Sequence, residues 1–107
     1  MMTILVVGAP AAEASRYAEA HPSVEVLAAS GNDEALEKLA RNRRIDAVLL
    51  LPGSEAGELA AELAEEDPSA PPLFAPASVG AIPGVRALAA EDPERLLELV
   101  VQALDSA

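Results

Sequence analysis

The chain of 107 residues contains no cysteine. That removes disulfides, thiol nucleophiles and thiolate metal sites together. It has one histidine, His21, so no pair of imidazoles can share a metal or a proton. Aromatic side chains are nearly absent, with only Tyr17 and Phe74. The core is therefore expected to be aliphatic. The same scarcity counts against flavin and nucleic-acid sites, which commonly stack a ring on an aromatic side chain. Positive charge is also short: 7 Lys and Arg against 18 Asp and Glu give a net charge of −11. A surface of that sign repels phosphate backbones and anionic membranes, so neither nucleic acid nor membrane is an expected partner. Solubility accounts for the acids, and a basic protein surface is the functional alternative. No apolar run approaches the ~20 residues that span a bilayer. The start MMTILVVGAP lacks the basic segment of a signal peptide. The expected compartment is the cytoplasm. Arg in excess of Lys, with abundant Ala, points to a GC-rich bacterial genome.

What is present is a regular alternation within one expected domain, residues 1–107. Thr3–Gly8 is a β-branched run suited to a strand buried on both faces. Pro10 fits the first turn of a helix over 11–20, which His21-Pro22 ends. Val24–Ala29 has a polar position near its start, as an edge strand would. Asn32 or Asp33 is expected to cap a helix over 34–43, with Ala35, Leu36, Leu39 and Ala40 on its apolar face. Ile45–Leu51, reading IDAVLLL, is the most hydrophobic segment and the expected central strand. A helix over 55–66 follows, then strands over 71–75 and 85–89. Asp92-Pro93-Glu94 opens a last helix striped by Leu96, Leu97, Val100, Val101 and Leu104. Strands alternating with amphipathic helices imply a parallel sheet in a three-layer α/β/α sandwich. Between the last two strands, residues 76–84 hold two prolines and two glycines. They are too few for a normal crossover helix, so that helix is expected to be shortened or missing.

This pattern resembles the receiver domain of two-component response regulators, a CheY-like, flavodoxin-like fold. TILVVG, IDAVLLLPG, PPLFAPAS and GVRALAAEDPERLLELVVQAL carry the resemblance over nearly the whole chain, and the second phrase is the most specific. The fold implied is a five-stranded parallel sheet in the order 2-1-3-4-5. A working receiver holds Mg²⁺ on an acidic pair and phosphorylates an aspartate at the end of its third strand. A hydroxyl and a lysine on later loops read the phosphoryl oxygens. Clustered carboxylates bind the hard cation, and cation and ammonium neutralise the incoming charge. Carried over residue by residue, the acidic pair falls on Gly8 and Ala9, and the acceptor on Leu51 or, with a slipped register, Leu50. The hydroxyl falls on Pro76, and the lysine near Ala89, Ala90 and Glu91. None of these is the residue type required. The resemblance therefore implies a degenerate receiver, or pseudo-receiver: a phosphorylation-independent signalling module with no metal, no cofactor and no enzymatic activity.

Other candidates have plain structural explanations beside functional ones. Asp46 stands at the amino end of its strand, the wrong end for chemistry in an open α/β sheet, and is expected to cap the preceding turn. Gly8–Ala12 has one glycine and no phosphate-loop pattern. The loops Gly8–Ala11 and Leu51–Ser54 offer the alternative reading, a small ligand bound in the crevice at the strand ends. Ser30 and Ser54 have no neighbouring base and fit turn or cap chemistry. Arg41, Arg43 and Arg44 form the one basic cluster; they suit a helix carboxyl end or an acidic docking partner. Val79, Ile82, Val85 and Arg86 lie in or beside the Gly/Pro-rich link, next to an expected edge strand. That edge would be covered by the last helix or by another chain. The expected partner is another protein, and a homodimer through the fourth and fifth strands and last helix is one form of it.

Overall fold

The computed structural model describes residues 2–8, 15–17, 19, 22, 24–41, 45–51, 56–66, 71–80, 82 and 84–105. Strands β1 (Met2–Val7), β2 (Val24–Ala29), β3 (Ala47–Leu50), β4 (Leu73–Pro76) and β5 (Val85–Leu88) form one sheet in the order β2-β1-β3-β4-β5. All four pairings are parallel. Helix α1 is described at residues 15–17 and 19. Helices α2 (Asn32–Arg41), α3 (Ala56–Glu66) and α4 (Pro93–Asp105) complete the layers. The architecture is the expected α/β/α sandwich of flavodoxin-like order, with β3 at the centre and β2 at one edge.

Successive residues of the inner strands enter opposite cores, as the period of two requires. Ile4, Val6, Ala47, Leu49, Leu51 and Phe74 join Tyr17 of α1 and Leu96, Leu97 and Val100 of α4. Leu5, Val7, Val48, Leu50 and Ala75 join Ala35 of α2 and Leu59 and Leu63 of α3. Both clusters are almost wholly aliphatic, as the composition requires. Each fully buried Leu or Val side chain contributes about 1.5–3 kcal/mol.

The boundaries of α2 and β4 differ from the sequence pattern, while α4 starts where Asp92-Pro93-Glu94 is expected to open it. Helix α2 starts at Asn32, so Asn32 and Asp33 lie within its first turn instead of capping it. The Glu34 carboxylate reaches back to the Ser30 N–H at 3.3 Å and to its hydroxyl at 2.9 Å, a variant of the capping box. β4 extends to Pro76, which pairs in register with Leu88 of β5. At α4, the Asp92 carboxylate accepts from Arg95 N–H at 3.3 Å and its carbonyl from Leu96 N–H at 3.0 Å, which anchors the helix start.

The link from β4 to β5 is where the sandwich departs from regularity. Ala77–Val79 makes a single 3₁₀ turn, closed by Gly80 N–H donating to the Ala77 carbonyl at 3.1 Å. Gly80 (φ 97°) and Gly84 (φ 81°) take left-handed backbone that disfavours any side chain. Among the described residues of this link there is no α-helix. Val79, Ile82 and Val85 of this region are half-buried against the cluster containing Leu59 and Leu63. Their cover comes from that side of the sheet, not from α4, whose buried residues belong to the other cluster.

Candidate functional site

Ligands of open α/β sheets bind beyond the carboxyl ends of the strands. Among the described residues, that edge is lined by main-chain bonds and apolar side chains. Val7 pairs with Leu50, and the ladder runs one residue further: Leu51 N–H donates to the Val7 carbonyl at 3.0 Å. Gly8 N–H donates to the Ala29 carbonyl at 2.8 Å, and Gly8 turns with φ 96°. Leu51 retains 5% of its exposure and joins the cluster of Leu49, Phe74, Leu88, Leu96 and Leu97. Pro76 is fully buried. Ala90 packs half-buried on the same cluster, while Ala89 and Glu91 are exposed. Gly8, Leu51, Pro76, Leu88 and Ala90 thus bring no carboxylate, hydroxyl or amine to this edge. Ala9, Pro10, Ala11, Gly53 and Ser54 lie outside the described residues, so the two loops of the small-ligand alternative are described only at Gly8 and Leu51. Among the described residues, no three His, Asp or Glu side chains are grouped to hold a metal ion.

Asp46 does a different job from the turn cap expected of it. Its carboxylate accepts Thr3 N–H at 2.8 Å, while its own N–H donates to the Thr3 carbonyl at 2.8 Å. This reciprocal clamp ties the starts of β1 and β3 and satisfies an amide at the sheet's amino edge. The remaining polar candidates divide by position. Arg41 ends α2 and pairs with Glu37 at 2.9 Å, both well exposed. Arg43, Arg44 and His21 lie outside the described residues. Arg86 is exposed on β5 and makes no ion pair among the described residues.

One polar network escaped the sequence reading. Beside the end of β2, Glu34 holds Ser30 and pairs with Lys38 at 3.5 Å, while the Lys38 ammonium donates to the Ala28 carbonyl. The hydrogen bonds from Ser30 hold the Glu34 carboxyl below its ordinary value of 4.5, and the Lys38 charge adds to the effect. The signal was there: Ser30, Glu34 and Lys38 are spaced four apart, as neighbours on a helix face and its lead-in are.

No protein-family model matches the sequence, and no curated protein matches it. Solved structures do. A CheY-like response regulator receiver domain protein from Methanospirillum hungatei JF-1 aligns with TM-score 0.70 and 20% identity, over 99% of this chain and 95% of that one. A chain from the complex of the CheA3 P1 domain with CheY6 of R. sphaeroides aligns with TM-score 0.61 and 21% identity, over 99% and 98%. The class is therefore that of CheY-like folds. At these identities the likeness is one of fold.

Proposed function

We propose that this chain is a pseudo-receiver: a non-enzymatic signalling module that acts through protein–protein contact and without aspartyl phosphorylation. The burial of Leu51 carries this reading. The position that the resemblance assigns to the phosphoacceptor is a leucine sealed among Leu49, Phe74, Leu88 and Leu96. Phosphoryl transfer to a receiver needs a solvated carboxylate nucleophile and carboxylates for its cation. Gly8, Pro76 and Ala90 lack the cation-binding, hydroxyl and ammonium groups as well, so the loss extends over the whole constellation. A protein partner is supported by the fold neighbour solved as a complex of CheY6 with the CheA3 P1 domain. It is also supported by the incompletely covered side of β5, where Val85 is half-buried and Ala87 exposed. The test is an amide NMR titration with beryllofluoride and Mg²⁺. The module leaves the amides of Gly8, Leu51 and Pro76's neighbour Ala77 unmoved. Saturable shifts around Leu51 overturn the reading.

A further inference from the structure

Among the described residues, one face of the sheet lacks a helix that its own topology calls for. The β2-to-β3 and β3-to-β4 connections lay α2 and α3 on this face, where Ala35, Leu59 and Leu63 meet the strands. Among its described residues, the β4-to-β5 connection supplies only the 3₁₀ turn Ala77–Val79. The floor beside α3 is consequently under-covered. Leu73, Val79, Ile82 and Val85 remain half-buried, and Ala87 is exposed in the middle of a strand. Ala87 pairs in register with Ala75, a member of this cluster, so it belongs to this face.

We propose that this vacancy is a docking groove for a basic amphipathic helix from a partner protein, seated where the fourth crossover helix would lie. The inference rests on the interaction-module reading and deepens it. A helix suits the place because the layer it completes is made of helices, with α3 as the neighbouring wall. Gly57 and Ala61 of α3 are exposed, and a Cβ at Gly57 would meet nothing within 4 Å. The charge selects the partner. Helix α3 carries Glu58, Glu62, Glu65 and Glu66 and no basic residue. Glu58, Glu62 and Glu65 make no ion pair among the described residues. The link 77–84 is uncharged. Arg86 pairs in register with Phe74 of the opposite cluster and so belongs to the other face. A second copy of this chain would bring another −11 of the same sign, which repels. Lys and Arg flanking an apolar stripe meet both requirements.

The test uses the full chain, ¹⁵N-labelled, titrated with a helix-stabilised synthetic peptide that has Leu and Ala on one face and Lys and Arg on the other. A control peptide carries Glu in place of every Lys and Arg. The expected result is saturable, salt-sensitive shifts at Leu73, Val79, Ile82, Val85, Ala87 and along α3, with the basic peptide only. The exposed pair Glu58→Lys with Glu65→Lys, checked for folding by its own spectrum, weakens binding roughly tenfold at low salt. Absence of binding, equal binding of the acidic peptide, shifts confined to α4 or the strand ends, or a dimer by light scattering that shields these amides each overturn the inference. A silent groove leaves the module reading standing, because that reading fails separately, by a beryllofluoride response at Leu51.

Discussion

The two ends of the same sheet face are finished in opposite ways. At the β2 end, α2 lies over the edge and a chain of polar contacts closes it: Ser30 to Glu34, Glu34 to Lys38, Lys38 to the Ala28 carbonyl. An ammonium on an outer strand's main chain discourages another strand from adding there. At the β5 end, a 3₁₀ turn and two left-handed glycines replace the helix, and the apolar floor is left half-buried. A parallel sheet normally has both faces covered. The difference therefore marks the part of this face that the protein's own described helices cover least. The carboxyl edge shows a related contrast. It is the conventional seat of chemistry, yet here it is packed as core by Leu51 and Pro76.

Substitutions along this face measure the contrast. The largest effect is expected beneath α3: Leu59→Ala empties a fully buried site and costs about 2–5 kcal/mol in urea unfolding. A cost under 1 kcal/mol there would mean the α3 side is as loosely packed as the gap. Next is Gly84→Ala. Its Cβ meets no atom within 4 Å, so the cost, about 1–2 kcal/mol, comes from backbone alone. A neutral outcome would show that the link relaxes to another path. Val85→Ala, at the half-covered floor, should cost less than about 1 kcal/mol, well below Leu59→Ala. If the two costs are equal, the floor is covered in solution. At the other end, Lys38→Met frees the Ala28 carbonyl. Because Lys38 is more than a third exposed, the loss is at most about 0.5–1 kcal/mol, and concentration-dependent association through β2 is the more sensitive readout.

The smallest effect is one of pH. Glu34 has its pKa lowered in the folded state, so its contribution is present above pH 4.5 and is lost as pH falls through the lower folded value. The melting temperature of Glu34→Gln should therefore converge on that of the parent in acid and fall below it at neutral pH. Parallel curves across this window would place the Ser30–Glu34 contact outside the folded-state energetics.

Much of the fold could be read directly from the residues. IDAVLLL is apolar on both sides and so belongs at the centre, where β3 stands. The polar Glu25 near the start of Val24–Ala29 marks an edge, where β2 stands. The helix stripes at Leu59 and Leu63, and at Leu96, Leu97 and Val100, are buried as their spacing demands. The short link was legible because Pro and Gly cannot fill eight residues with helix. Misjudged boundaries arose where long-range bonds outweighed local preference. Asp46 looked like a turn cap but finds its acceptor role 43 residues away, on Thr3 N–H. Asn32 and Asp33 looked like caps, yet Glu34 reaches back past them to Ser30.

The candidate site divides along the same line. Sequence alone determined which chemical groups these positions can offer, since Leu51, Pro76 and Ala90 have no carboxylate, hydroxyl or amine in any conformation. It also determined the charge of −11 and the shortness of the last crossover. Only the tertiary structure decided that Leu51 is sealed in the cluster shared with α4, and that Val79, Ile82 and Val85 turn to the α3 side. Residue identity fixes chemistry, but burial and the assignment of a side chain to one face depend on strand register and on which helices pack above it.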